Sequence, residues 1–206
     1  FFQGSFVKEV NDQFKTQVNA KYAFYRTHYV NNDDKLIEVD NLYKQREVYV
    51  STANMYTIFP FWDVSMSYDF QWNEMKADMY GFVFPTRFTN LLSIATALRL
   101  GKVKLQGSGL ATFVNDRVKE GPAPKARQIL TPAVFLSYKL FDKHDFSLRA
   151  FYKKTFRMPT FNDLYYADMG NSKLDPEYVT QYNLGTVYQK QWGNKSVSYT
   201  HLRAHE

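Results

Sequence analysis

The stretch Trp62-Asp63-Val64-Ser65-Met66-Ser67-Tyr68-Asp69-Phe70-Gln71-Trp72-Asn73 alternates without a break, apolar or aromatic at even positions and polar at odd ones. Successive side chains on a strand point to opposite faces, so this segment has one greasy face and one wet face. A helix, with a period near 3.6, would smear the same residues around its whole surface. The pattern recurs along the chain. Phe14, Val18, Ala20, Tyr22 and Phe24 stand against Lys15, Gln17, Asn19 and Lys21. Weaker versions run through Leu92, Ile94, Leu98 and Leu100, and through Leu130, Val134, Leu136, Tyr138 and Leu140. Tyr178, Tyr182, Leu184 and Tyr188 face away from Gln181, Asn183 and Gln189. The expected fold class is all-β and antiparallel.

Connections between these segments alternate in length. Short turns fall at Asn11-Asp12, Pro60, Gly101-Lys102, Asp142-Lys143-His144 and Gly193-Asn194. Long polar loops are expected over residues 31–44, 74–86, 116–126 and 159–176. Hairpin loops in soluble domains are mostly short throughout. Short turns alternating with long loops are the pattern of a transmembrane β-barrel, with tight periplasmic turns and extended extracellular loops. That order places the four long loops outside the cell.

Strand length agrees. Aromatic residues on one face pair up ten positions apart: Phe14 with Phe24, Trp62 with Trp72, Phe146 with Phe156, Tyr178 with Tyr188. Ten residues at about 3.3 Å each cover about 33 Å of strand. Tilted by about 40°, that projects to about 25 Å, the height of a lipid-facing band between aromatic girdles. A chain this rich in aromatics produces some such pairs by chance. However, Phe14, Trp62, Phe146 and Tyr188 each lie within a few residues of a short turn, which chance does not require. These eight residues are the girdle candidates.

Composition explains how a membrane protein can look polar. The chain carries 16 Tyr, 18 Phe and 3 Trp, yet its mean hydropathy is −0.47. No run approaches the roughly 18 apolar residues of a membrane helix, whereas a barrel dilutes its apolar side chains with lumen-facing polar ones. The net charge of +6 comes from dispersed Lys and Arg. With no basic helix or recognition motif, nucleic acid is not an expected partner. There is no Cys, hence neither disulfide nor thiolate metal site.

Both ends read as unnatural. The chain opens at Phe1, with neither an initiator Met nor a signal peptide, so export is not read directly. Residues 198–206 resemble translated read-through of a sequencing adapter. The expectation is a gene fragment whose barrel portion covers residues 1–197, followed by a non-native tail. Inside the chain, Gly107 and Gly109 mark close packing or a bend. Pro132 is awkward, since a central strand loses a ladder bond there, and it marks either a bulge or an irregular end of the pairing.

The most informative stretch is Phe156-Arg157-Met158-Pro159-Thr160-Phe161-Asn162-Asp163-Leu164-Tyr165-Tyr166, followed by Gly170-Asn171 and Leu174-Asp175-Pro176-Glu177. Pro159 ends a strand, because it lacks an N–H and restricts the residue before it. Gly170-Asn171 is expected to supply a positive-φ turn, and Pro176 to open the returning strand. On this reading the motif residues shape a loop. Since loops on a rigid scaffold often carry binding, Phe161, Tyr165 and Tyr166 are candidates for extracellular ligand contact.

This stretch resembles the barrel segment of TonB-dependent receptors, in which a phrase like F-R-x-P-T-x-x-E-L-Y precedes G-N-x-x-L-x-P-E. Asp163 stands where Glu is usual, preserving the charge. The run Gln181-Tyr182-Asn183-Leu184-Gly185 also looks like the family's next strand. The resemblance covers about the last quarter of the readable chain, and the alternation extends it upstream. It implies an outer-membrane location and nine to ten strands of a larger, 22-stranded barrel. It also implies a plug domain, absent here, through which the TonB complex supplies energy, and a small-molecule or metal-chelate cargo: ferric siderophore, haem, cobalamin or, in some branches, a glycan. A passive porin, an adhesin-type or assembly barrel and a soluble β-sandwich are the rivals. The first two share the alternation without explaining the motif.

Other chemistry is weakly represented. His201 and His205 lie in the suspected tail, and His28 and His144 stand alone, each better read as a solvated or interfacial residue than as a metal ligand. Asp33, Asp34 and Asp40 read as a solvated acidic loop rather than a cation site. Gly107-Ser108-Gly109 lacks the strand–turn–helix context of a phosphate loop. No nucleophile motif, acid–base pair or cofactor fingerprint is present, so neither an enzyme nor a bound cofactor is expected.

Overall fold

The computed structural model describes every residue except 32–38, 122, 142–144, 166–169, 172, 193–194 and 206; residues 31, 39, 145, 189–192 and 195–205 are described by backbone alone. Ten strands run in chain order: β1 Phe2–Asn11, β2 Phe14–Asn31, β3 Val39–Phe59, β4 Trp62–Ala77, β5 Thr86–Leu100, β6 Val103–Arg117, β7 Arg127–Lys139, β8 Asp145–Arg157, β9 Glu177–Trp192 and β10 Lys195–His205. One short helix, α1 Phe161–Tyr165, sits between β8 and β9. Each strand pairs antiparallel with the next, and the sheet order is the sequence order, a meander whose edges are β1 and β10. Among the described residues the sheet is not closed.

Register converts the alternation into two surfaces. Tyr22, Val48, Trp72 and Phe88 lie in one cross-strand row, and Val18, Thr52, Tyr68, Leu92 and Ala111 in another. The large apolar residues on this face are exposed: Met66 by 52%, Ile94 by 60%, Leu130 by 65% and Leu184 by 69%. Among the described residues no second layer covers them, contrary to what a β-sandwich would show. The opposite face is polar and knit across strands. Ser5 Oγ donates to Asn19 Oδ1 (2.8 Å), Asn19 Nδ2 to Ser51 Oγ (3.0 Å), and Lys21 Nζ to Glu47 Oε1 (2.8 Å). Tyr49 and Arg99 bond Asp69 and Asp63 on the same face.

Short turns have local causes. Asn11 Oδ1 accepts from the amides of Gln13 (2.9 Å) and Phe14 (2.7 Å), an Asx turn that folds β1 onto β2. Gly101 takes φ +56 in the two-residue link between Leu100 and Val103, a conformation Gly adopts cheaply. The turns expected at 142–144 and 193–194, and with them His144, lie outside the described residues.

Two expectations change. The loop expected over 31–44 is shorter, because β3 begins at Val39 and continues the ladder opposite Asn31. Asp40 is therefore a strand residue, and His28 does not stand alone: its Nε2 meets Asp40 Oδ1 at 2.5 Å. Pro132 occupies β7 opposite Gly109, and the β7–β8 ladder covers only residues 133–139 against 147–153. The missing N–H coincides with the end of that pairing, as the irregular-end reading expects.

Candidate functional site

Buried residues gather where the long loops meet the polar face. Tyr43 on β3 and Met75 on β4 belong to that face by parity, and both are almost fully buried. Phe82 and Phe161, from the 78–85 and 158–176 loops, join them in one cluster, with Met79, Phe84 and Tyr165 packed against it. The rings of Tyr43 and Phe82 meet edge to face with centroids 6.2 Å apart. These loops therefore fold over the polar face instead of standing away from it. Phe84 takes φ +46, uncommon for a bulky residue, and turns its ring toward Phe82 at 5.4 Å.

Beneath the loops lies a buried ion pair. Arg87 on β5 donates Nε to Asp116 Oδ1 (2.6 Å) and Nη2 to Asp116 Oδ2 (2.7 Å), a two-pronged contact with β6. Its Nη1 donates to the Pro159 carbonyl (2.6 Å), and the guanidinium lies 5.2 Å from the centroid of the Phe161 ring. One side chain thus ties two strands to the start of the motif.

The motif closes on itself. Thr160 Oγ1 accepts from the Asp163 amide (3.2 Å), while Asp163 Oδ2 accepts from the Thr160 amide (2.8 Å). That reciprocal pair is a capping box with Asp in the usual Glu position. The Leu164 amide then donates to the Thr160 carbonyl (3.1 Å), starting α1. Arg157 Nη2 bonds Asp163 Oδ2 (3.1 Å), and its Nη1 lies 3.6 Å from Glu177. Bonds from Thr160 and the nearby Arg157 charge hold the Asp163 carboxyl below its ordinary pKa.

Further along, Asn171 ties its amide to the Asp163 carbonyl (2.9 Å). The positive-φ turn expected at Gly170-Asn171 is, at Asn171, a side-chain device: Oδ1 accepts from the Lys173 amide (3.0 Å) and the Asn171 carbonyl from the Leu174 amide (3.2 Å). Among described non-glycine residues only Phe84 has positive φ. A short polar side chain does here what the backbone was expected to do. Pro176 is buried ahead of β9, and Arg127 Nη2 bonds Asp175 Oδ1 (2.7 Å), clamping the loop's far end to β7.

Between the 78–85, 118–126 and 158–176 loops opens a cleft of about 880 Å³. Arg87 and Asp116 contribute to its lining, with Glu120, Lys125, Arg127 and Tyr165 around them. The Tyr165 hydroxyl is buried with no hydrogen-bond partner among the described residues, and burial, aided by the Asp116 charge, raises its pKa. Of the three expected ligand contacts, Tyr165 reaches the cleft. Phe161 is 5% exposed and packs inside the loop cluster, and Tyr166 lies outside the described residues. Sequence reasoning passed over Arg87, Asp116, Phe82 and Arg127. For Arg87 and Asp116 a signal existed: both are charged, on the polar parity, and near the long-loop ends of adjacent strands.

The girdle candidates fall at both ends of the apolar face. Phe146 opposes Tyr188 at the short-turn end, with centroids 6.3 Å apart, and Phe156 opposes Tyr178 at the long-loop end. Phe14 and Trp62 begin their strands at the same short-turn end, and Phe24 and Trp72 lie toward the loops.

The profile of the family described as TonB dependent receptor-like, beta-barrel matches residues 2–204. The chain belongs to this family. No curated protein sequence matches it. Among solved structures, the fold resembles "Copper transporter OprC" (TM-score 0.70, 16% identity, 97% of this chain and 38% of that one). It also resembles the P. aeruginosa receptor FpvA bound to heterologous pyoverdines (0.63, 16% identity, 97% and 32%). A third is the Serratia marcescens hemophore receptor HasR in complex with HasA and heme (0.52, 13% identity, 98% and 42%). The chain thus spans about a third to two fifths of these neighbours' length. The TonB-dependent receptor match runs through most of β10, so it also overlaps residues 198–204.

Proposed function

We propose that this chain is part of the wall of an outer-membrane active transporter that imports a scarce nutrient with TonB-derived energy. Cargo is a small molecule or metal chelate, of which ferric siderophores, haem and cobalamin are the expected classes. The observation carrying the proposal is the match to the TonB-dependent receptor barrel over 2–204, joined to a cleft built by that family's motif over the polar face. Neighbours named for copper, pyoverdine and heme support a metal-related cargo.

An open edge in lipid leaves backbone groups unpaired, so β1 and β10 are expected to pair with further strands of a barrel of the family's size. A plug domain also has room against the polar face. Ser65, Ala95, Ala97, Ser108 and Ala133 line a hollow of about 640 Å³ there. The loop cluster argues against a passive porin or an adhesin-type barrel: Tyr43, Met75, Phe82 and Phe161 pack loops over the mouth of the polar face, where a simple pore would leave it clear.

A deletion strain tests the reading. Growth on single iron, haem or cobalamin sources is expected to fail on one of them, and restoration by the intact receptor is expected to require a working TonB complex. Restoration that persists without TonB would overturn active import in favour of a passive pore.

A further inference from the structure

We propose that the barrel wall opens sideways between β7 and β8, and that the opening seats the acyl tail of an amphipathic cargo whose polar head occupies the loop cleft. Among the described residues, every other pair of neighbouring strands stays zipped until one of the two ends. The β7–β8 ladder parts early. It stops at Ala133 and Lys153, although β7 reaches back to Arg127 and β8 goes on to Arg157. Residues 129–132 and 154–157 therefore flank a gap without ladder bonds, over about 13 Å of strand.

The cause is local. The Lys139 amide donates to the Lys102 carbonyl (2.8 Å), toward β6, and the Leu140 amide to the Phe146 carbonyl (2.9 Å), toward β8. Backbone groups of an antiparallel ladder alternate in this way, so even-numbered residues of β7 and β8 turn theirs toward each other. The N–H that Pro132 lacks is thus one that would have bonded Lys154. Beyond it, the amides and carbonyls of Gln128 and Leu130 line one side of the gap, and those of Lys154 and Phe156 the other. The Lys154 side chain leans away from β7, its Nζ lying 5.5 Å from the centroid of the Tyr178 ring on β9.

Three chemistries follow one another along this seam. Its upper end, at the girdle candidate Phe156, opens on the loop cleft, whose lining includes Arg127, Met158 and Pro159. The gap itself offers backbone donors and acceptors. Below it, on the apolar face, Leu136, Ala150, Tyr152, Tyr182 and Leu184 line a hollow of about 630 Å³. Charged cleft, amide-edged gap and apolar hollow match, in that order, the head, amide link and hydrocarbon chain of an N-acylated chelate. A peptide strand would satisfy the gap and leave the hollow empty. Unpaired backbone at membrane depth is tolerated where it borders a water-filled cavity, which the cleft supplies. The inference rests on the transport reading and deepens it, naming the cargo class as acylated.

The test uses the intact receptor in nanodiscs of neutral phospholipid, with N-dodecanoylglycine carrying a diazirine near its chain end as the probe. Photolabelling is expected at the hollow, displaced by unlabelled N-dodecanoylglycine and not by N-acetylglycine. Pro132→Val restores the missing N–H and is expected to zip the seam, slowing hydrogen exchange at Leu130 and Phe156. Labelling should weaken with it by about tenfold, the worth of about two buried methylenes. Ala150→Phe fills the hollow and is expected to weaken labelling equally with exchange unchanged. It carries the test should Pro132→Val fail to give the compact unboiled band of a folded barrel. Wild-type exchange at Leu130 as slow as at Leu136 would overturn the gap. Labelling spread evenly over the apolar face, labelling unchanged in the variants, or displacement by an extended peptide amide would overturn the acyl site. Each of these leaves TonB-dependent growth standing, whereas growth restored without TonB overturns the transport reading and leaves the labelling in place.

Discussion

Arg87 and Asp116 face each other across β5 and β6 in a buried, two-pronged ion pair, and the same guanidinium holds the Pro159 carbonyl 72 residues further along the chain. Removing one partner leaves an uncompensated buried charge, which costs about 3–5 kcal/mol, whereas replacing both by apolar groups is often neutral. Arg87→Met is therefore expected to free the 158–176 loop while the barrel stays folded. Limited proteolysis in detergent checks this, with cleavage inside that loop and an unchanged unboiled band. Adding Asp116→Leu to Arg87→Met is expected to relieve the cost of the unpaired carboxylate, while the loop, still without its tie at the Pro159 carbonyl, stays open to protease.

The capping box predicts a smaller and more local effect. Thr160→Ala removes the side-chain acceptor for the Asp163 amide and is expected to cost α1 about 1 kcal/mol. Hydrogen exchange at Asp163 and Leu164 should quicken severalfold, with β8 and β9 unaffected. Thr160→Ser is expected to restore protection.

Acid acts on the same box. Because the folded state depresses the Asp163 pKa, its contribution is fully present above the ordinary aspartate range near about 4. It is lost as pH falls through the lower folded value. Exchange rates at Thr160 and Leu164, corrected for intrinsic pH dependence, should stay flat from neutral pH to about 5 and rise only under stronger acid. Asp163→Asn is expected to abolish that rise.

The two faces predict an asymmetry in charge tolerance. Met66 is exposed on the apolar face and Ser67 lies on the polar one. Met66→Arg is expected to cost about 2–4 kcal/mol near the bilayer midplane, and Ser67→Arg a fraction of that. Denaturant unfolding of the intact receptor in lipid vesicles measures both.

Much of this was legible in the chain itself. Strict alternation from Trp62 to Asn73 specifies β4 and its faces, because a period of two admits one assignment of inside and outside. Thr160 and Asp163 stand at capping-box spacing. The loop expected at 31–44 is longer than the one observed for a physical reason. Beyond the girdle both faces of a strand are wet, so β2 and β3 continue through His28 and Asp40 with no amphipathic contrast to reveal them. Arg87, Asp116 and Pro159 come together from distant segments, and nothing local to any of them announces the meeting. Asn171 shows a subtler limit, since a Gly-Asn pair signals a turn without saying whether backbone or side chain makes it.

The chain contains no Cys, so single cysteines can be placed along β4 at positions 62–72 of an otherwise Cys-free intact receptor and spin-labelled in lipid vesicles. The measurement is collisional accessibility to dissolved oxygen against a water-soluble nickel chelate. A period of two is expected, with even positions open to oxygen in the hydrocarbon and shielded from the chelate, and odd positions the reverse. Even positions shielded from both reagents, as in a packed soluble core, would contradict the account.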